Sequence, residues 1–253
     1  MKLPSLPLIP FCSVVLFLGF TSVLAPQALA KPPAKSTVQQ ADESAPKLGP
    51  DGQPQPDFLA KHEQFVALAK AGTAKCVFLG DSITAGWGAN QPIWDKTFGS
   101  YAPVNFGIGG DRTQHVLWRI ENGELDGIKP KALVLMIGTN NSSSDKPEET
   151  ARGVRKIVQT ILKKTPSTKV LLLAIFPRGE KATPPRETNQ KVNKIISRMA
   201  DNRTVFFLDI GEKFLQPDGS ISKEIMPDLL HLTPAGYQIW ADAIAPKLAE
   251  LMK

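Results

Sequence analysis

Four runs of consecutive apolar residues mark the chain, each stopped by a residue that breaks the run. Residues 75–79 (KCVFL) end at Gly80, 132–137 (ALVLMI) at Gly138, 170–176 (VLLLAIF) at Pro177, and 205–208 (VFFL) at Asp209. They lack the alternation of a strand with one wet face, and so suit strands buried on both faces of a parallel sheet. Residues 101–105 (YAPVN) form a weaker fifth strand, which Pro103 assigns to an edge. Between the runs, apolar positions recur at helical spacing. Residues 148–164 carry Val154, Ile157, Val158 and Ile161 and stop before Pro166; residues 189–200 carry Val192, Ile195, Ile196 and Met199. Thr233 and Pro234 read as the N-cap and first position of a last helix through Leu251. This alternation predicts an α/β protein: a three-layer α/β/α sandwich on a five-stranded parallel sheet with right-handed crossovers. Ligands of such sheets bind beyond the carboxyl ends of the strands.

The N-terminus follows neither pattern. Lys2 is the only charged residue before Lys31, an apolar stretch runs from Phe11 to Ala25, and Ala28-Leu29-Ala30 places small residues where a signal peptidase reads. Residues 1–30 are therefore expected to be a signal peptide cleaved near Ala30, with the mature protein exported to the periplasm or the exterior. A retained anchor is the competing reading, but the stretch falls short of the ~20 residues a spanning helix needs. Cleavage would remove Cys12 and leave Cys76 alone, so no internal disulfide forms. Residues 31–56, rich in Pro, Ala, Lys, Gln and Ser, are expected to be a disordered linker, and the folded domain to span 57–253. No later stretch is apolar enough to cross a bilayer. The net charge is +6, but the 30 basic residues are spread along the chain without a block, which argues against a nucleic-acid partner.

Four of the strand ends and loops carry candidate chemistry. Gly80-Asp81-Ser82 puts a serine on the turn from the first strand into a helix, where backbone N–H groups favour negative charge. Thr84 stands where a Gly-x-Ser-x-Gly elbow needs its second glycine, which disfavours the α/β-hydrolase pattern. Gly107-Ile108-Gly109-Gly110 can bend close to a ligand and offer N–H groups, but its spacing fits neither nucleotide-binding glycine motif. The Asn140 amide, in Gly138-Thr139-Asn140-Asn141, can donate into the crevice. The glycosylation sequons at Asn140 and Asn141 are discounted, because a sugar there would block it. Of the three histidines, His62 and His115 read as surface or packing residues. His231 alone has a carboxylate, Asp228, three residues upstream to orient its ring.

In this order the blocks resemble the SGNH (GDSL-type) esterase and lipase superfamily, with Ser82, Gly110, Asn140 and His231 at its four signature positions and Asp228 completing the triad. Residues 105–119 (NFGIGGDRTQHVLWR), 121–125 (ENGEL), 138–141 (GTNN), 177–181 (PRGEK) and 231–233 (HLT) closely resemble one branch, the catalytic subunits of platelet-activating factor acetylhydrolase type Ib. Asn141 stands where many members have Asp, a departure that branch shares. The resemblance, from about Cys76 to the C-terminus, implies a flavodoxin-like fold and a serine esterase. Ser82 would be the nucleophile, His231 the base and Asp228 its partner; the N–H groups of Ser82 and Gly110 and the Asn140 amide would form the oxyanion hole. It implies no cofactor and no metal, and the histidines and Cys76 show no ligand spacing. The expected substrate is a short-chain, best an acetyl, ester. Given export, its alcohol is expected to be an O-acetylated glycan; a phospholipid 2-acetyl ester is the second reading, and a silent carbohydrate- or lipid-binding module the third. A homodimer is compatible with all three. The resembling subunits are cytosolic, so their phospholipid substrate and regulatory partners do not transfer directly to a chain with an export signal.

Overall fold

A computed structural model describes residues 39–253; the expected signal peptide and the start of the expected linker lie outside the described residues. Helix α1 (Pro56–Lys70) leads into β1 (Cys76–Gly80), the short α2 (Ser82–Ala85) and α3 (Gln91–Phe98). Then follow β2 (Pro103–Gly107), α4 (Thr113–Arg119), β3 (Ala132–Met136), α5 (Pro147–Lys164), β4 (Lys169–Leu173), α6 (Pro184–Ile196), β5 (Val205–Leu208) and α7 (Pro234–Leu251). The five strands are all parallel in the order β2-β1-β3-β4-β5, the flavodoxin-like winding whose switch point lies between β1 and β3.

The unbroken apolar runs arise because both faces of the sheet are covered. Val77, Leu79, Leu133, Leu135, Val170 and Leu172 pack with α1, α4, α5 and α6. Cys76, Phe78, Val134, Met136, Leu171 and Leu173 face Trp94 and Phe98 of α3 and Trp240, Ile244 and Leu248 of α7. Proline occupies the first turn of α1, α5, α6 and α7, where its missing N–H costs nothing. Thr233 caps α7 by accepting from the Gly236 N–H, as expected.

Several expectations shift, among them the end of β4, which stops at Leu173 although its apolar run continues to Phe176. Strand β2 begins at Pro103 rather than 101, because a turn over Gly99–Tyr101 ends at Ala102 in the left-handed region, φ 45°. It is indeed an edge strand. Helix α6 starts five residues before the apolar periodicity does, because Thr183 accepts from the Arg186 N–H and Pro184 opens the first turn. The largest correction concerns the linker, because residues 39–55 pack on the domain. Ala41 is 2% exposed, Ala45 N–H donates to the Gln114 carbonyl at 3.3 Å, the Thr113 hydroxyl donates to the Ala41 carbonyl at 2.7 Å, and Arg152 pairs with Asp42 at 3.0 Å. Backbone and side-chain hydrogen bonds to the domain, rather than large apolar residues, hold this segment, so composition alone reads it as unstructured.

Gly153 of α5 is where the segment meets the body. A Cβ there would lie 2.6–2.7 Å from Thr113 side-chain atoms and closer still to the Ala41 carbonyl oxygen. Gly153→Ala should gain about 1 kcal/mol of helix propensity yet lose more to overpacking, a net loss of about 1–2 kcal/mol. Urea denaturation reads this directly, and a stabilised variant would contradict the close approach.

Candidate active site

Strand β1 delivers Ser82 to the first position of α2. Asp81 caps that helix by accepting from the Ile83 N–H at 3.0 Å, and the Tyr237 hydroxyl of α7 donates to the Ile83 carbonyl at 2.7 Å. The serine is thus pinned from the strand and from the last helix. Its Oγ lies 2.8 Å from Nε2 of His231, 149 residues away in sequence. His231 Nδ1 lies 2.6 Å from Asp228 Oδ2, while Asp228 Oδ1 accepts from the backbone N–H groups of His231 at 2.7 Å and Leu230 at 3.1 Å. Burial works against ionising Asp228, but these hydrogen bonds prevail and hold its carboxyl below the ordinary range. The three polar groups expected to converge do so.

The turn carrying Asp228 is strained. Leu229 sits at φ 61°, rare for a residue with a branched side chain. Hydrogen bonds hold it at both ends: Leu229 N–H donates to Met226, and Gly179 N–H donates to the Leu229 carbonyl, each at 2.9 Å. The 178–179 loop is in turn clamped by Arg186, which donates to the carbonyls of Arg178 and Gly179, both at 2.9 Å. Arg178 reaches back to the Thr139 carbonyl at 3.0 Å. The loops after β3 and β4 therefore hold each other and the Asp-His turn.

The glycine loop lies beside the serine: a Cβ on Gly109 would be 4.0 Å from Ser82 Cβ. Gly110 has φ 72°, a conformation that favours glycine. The Asn140 side-chain amide donates to the Asp111 carbonyl at 2.8 Å, which ties it to the residue after Gly110 and leaves its second N–H for another acceptor. Asn141 is fully buried. Its amide bonds Thr113, Gln114 and Asp145, and its oxygen accepts from the Thr113 N–H. A buried, fully engaged amide cannot take a sugar.

Beneath these loops sits a charged cluster that the motif reading left without a role. Arg119 of α4 is 0% exposed, pairs with Asp111 at 2.9 Å and with Glu124, and donates to the carbonyls of Gly80 at 3.3 Å and Phe106 at 3.1 Å. Those carbonyls belong to the last residue of β1 and the next-to-last of β2, just before the serine turn and the glycine loop. His62 lies 3.4 Å from Glu124 and is buried, so it is a packing residue, not a surface one. His115 is also buried. Burial, aided by the Lys47 charge, pushes its pKa down to about 3, and the neutral ring accepts from the Arg112 N–H at 3.1 Å and meets Gln39 Oε1 at 3.1 Å. The sequence signal for Arg119 was its helical spacing from the glycine loop, i+8 from Asp111, but a lone arginine in a motif does not announce that it is buried.

Asp81 carries the clearest pH signature. Full burial pushes its carboxyl up to about 7, against the pull of the Ile83 N–H. The folded protein then holds a proton that the unfolded chain releases above its ordinary 3.8, so this group costs stability as pH rises from about 4 to 7 and no further above that. Asp81→Asn keeps the capping oxygen without the charge. Its stability relative to the parent protein should climb across that window in urea titrations, and a difference independent of pH would contradict a protonated Asp81.

Residues 78–239 match the model of the GDSL-like lipase/acylhydrolase family. A rat (Rattus norvegicus) relative, platelet-activating factor acetylhydrolase IB subunit alpha2, is 41% identical over 193 residues, covering 76% of this chain and 83% of the relative. Among solved structures, a GDSL-like lipase from Bacteroides thetaiotaomicron shares the fold with a TM-score of 0.60 at 20% identity, covering 76% of this chain and 98% of that one. Est24, a carbohydrate acetylesterase from Sinorhizobium meliloti, does so with a TM-score of 0.55 at 20% identity, covering 70% and 98%.

Proposed function

Because this chain belongs to the GDSL-like lipase/acylhydrolase family and is a carboxylic ester hydrolase of that family, we propose that it is an exported serine esterase that removes short acyl groups, acetyl first among them, through Ser82, His231 and Asp228. The 2.8 Å approach of Ser82 Oγ to His231 Nε2, with Asp228 on the opposite ring nitrogen, carries the reading. Neutral His231 takes the Ser82 hydroxyl proton as Oγ attacks the ester carbonyl, and Asp228 fixes the tautomer and stabilises the imidazolium. The carbonyl oxygen becomes an oxyanion that accepts hydrogen bonds from the Ser82 and Gly110 N–H groups and the free N–H of Asn140. Collapse expels the alcohol, which takes the proton from His231 and leaves an acyl-serine. Water, deprotonated by His231, then hydrolyses that ester and restores the serine.

The character of the alcohol is inferred from the surface. Among the described residues, Leu68 of α1 is the one large hydrophobic side chain left exposed, so no broad apolar patch is presented to a lipid surface. Together with the signal-like N-terminus and an acetylesterase of carbohydrates that shares the fold, this favours an O-acetylated carbohydrate. The identity to platelet-activating factor acetylhydrolase subunits favours the second reading, a 2-acetyl phospholipid. No cofactor enters the chemistry.

A serine-directed organophosphorus reagent should label Ser82 stoichiometrically and abolish activity on 4-nitrophenyl acetate; a folded protein that takes no label would turn the reading toward a binding module. Asn140→Ala should fold normally and lose on the order of 10²-fold or more in kcat, and unchanged turnover would remove it from the oxyanion hole. Acetate release from acetylated xylan, compared with a 2-acetyl phospholipid in vesicles, separates the two alcohols. Mass spectrometry of the protein released by cells expressing the full chain should find a start at Lys31; an intact Met1 or a membrane-bound product would refute cleavage.

A further inference from the structure

The peptide that carries the Gly110 N–H joins two glycines. With glycine on both sides and Gly110 at φ 72°, little resists a rotation of that peptide plane. A trans peptide holds its C=O opposite its N–H, so a flip would turn the oxyanion donor into a carbonyl oxygen aimed at the same place. The other end of this peptide is gripped. Its oxygen, that of Gly109, accepts a hydrogen bond from Lys47 Nζ, which also lies 3.9 Å from Asp111 Oδ1. The ammonium fits so closely that a Cβ on Gly110 would be 2.8 Å from Nζ.

We propose that Lys47 is a positioning residue for the oxyanion hole: by binding the Gly109 carbonyl it locks the Gly109–Gly110 peptide with its N–H toward Ser82, and its charge makes that N–H a stronger donor. A cation on the carbonyl oxygen of a peptide polarises the whole unit, and a charged donor bonds about twice as strongly as a neutral one. Lys47 also answers a local charge problem. Arg119 faces two buried carboxylates, Asp111 and Glu124, and Asp111 Oδ1 has no hydrogen-bond partner among the described residues, so the Lys47 ammonium brings a second positive charge to that side. The segment is itself braced there: Gln55 N–H donates to the Lys47 carbonyl at 2.8 Å, and the Gln55 amide to the Leu48 carbonyl at 3.0 Å. Lys47 lies ahead of residues 78–239 that match the family model.

The proposal rests on the esterase reading, and the test separates the two. Lys47→Met should lower kcat on 4-nitrophenyl acetate by about ten- to thirtyfold while KM stays within about twofold, and slow phosphorylation of Ser82 by diethyl 4-nitrophenyl phosphate in parallel, because both reactions place an oxyanion in the hole. Lys47→Arg should recover most of the loss. Arg152→Ala breaks the exposed Arg152–Asp42 pair that fastens the same segment elsewhere, and should leave kcat unchanged. A folded Lys47→Met protein with parental kcat, or an Arg152→Ala variant that loses as much, would overturn the proposal. Should the Met variant not fold, Lys47→Gln, with a neutral donor, is read the same way: reduced kcat supports the grip and parental kcat overturns it. A parent protein that neither hydrolyses the ester nor takes the label would overturn the esterase reading, and this proposal with it.

Discussion

The architecture of the site depends on one buried guanidinium. Arg119 is fully enclosed yet charged, and such a group is tolerated only when its donors are nearly all engaged. Its partners are the Asp111 and Glu124 carboxylates and the Gly80 and Phe106 carbonyls near the ends of β1 and β2. Leaving either carboxylate in place without the arginine would strand a buried charge, at a cost of about 3–5 kcal/mol. The same contacts reach the candidate site, because Gly80 lies two residues before Ser82 and Asp111 directly follows Gly110. A single side chain thus ties the turn that carries Ser82 to the residue that follows Gly110.

Around that centre the loops constrain one another through backbone carbonyls. Asn140 is tied to Asp111, Arg178 to Thr139, Arg186 to the 178–179 loop, and Gly179 to the strained Leu229 beside Asp228. These links join the loops after β2, β3 and β4 to the Asp228 turn, so the site behaves as a connected chain of hydrogen bonds rather than as independent loops. The His231 and Asp228 side chains are 46% and 54% exposed. Water therefore screens their mutual attraction, and their alignment owes more to the backbone N–H bonds on Asp228 than to burial.

The segment 39–55 extends these links outward. It joins the body through Ala41 against Gly153, Asp42 against Arg152, and Lys47 against the glycine loop. Residues ahead of the region that matches the family model are thereby brought to the edge of the reaction centre. Ser82, Gly110, Asn140, Asp228 and His231 all lie within residues 78–239 that match the family model, whereas Lys47, which holds the Gly109 carbonyl, lies ahead of them.

The layered α/β fold and the four chemical blocks were legible in the sequence because their causes are local or periodic. Doubly buried strands must be apolar throughout, as 132–136 are, and helices show their 3.6-residue stripe, as 154–161 do. The serine turn, the glycine loop and the Asp-x-x-His pair carry their signatures within a few residues. Strand β2 and helix α6 were misplaced at their ends because a left-handed Ala102 and a Thr183 cap act through backbone geometry, not apolar pattern. Only the tertiary structure decided that Ser82 meets His231 across 149 residues, that Arg119 and Asp81 are buried, and that Lys47 lies on the Gly109 carbonyl. The reason is physical: composition and periodicity report how much surface a segment can bury by itself, whereas a buried charge or a lysine on a peptide oxygen is defined by partners that are distant in the chain and adjacent only after it folds.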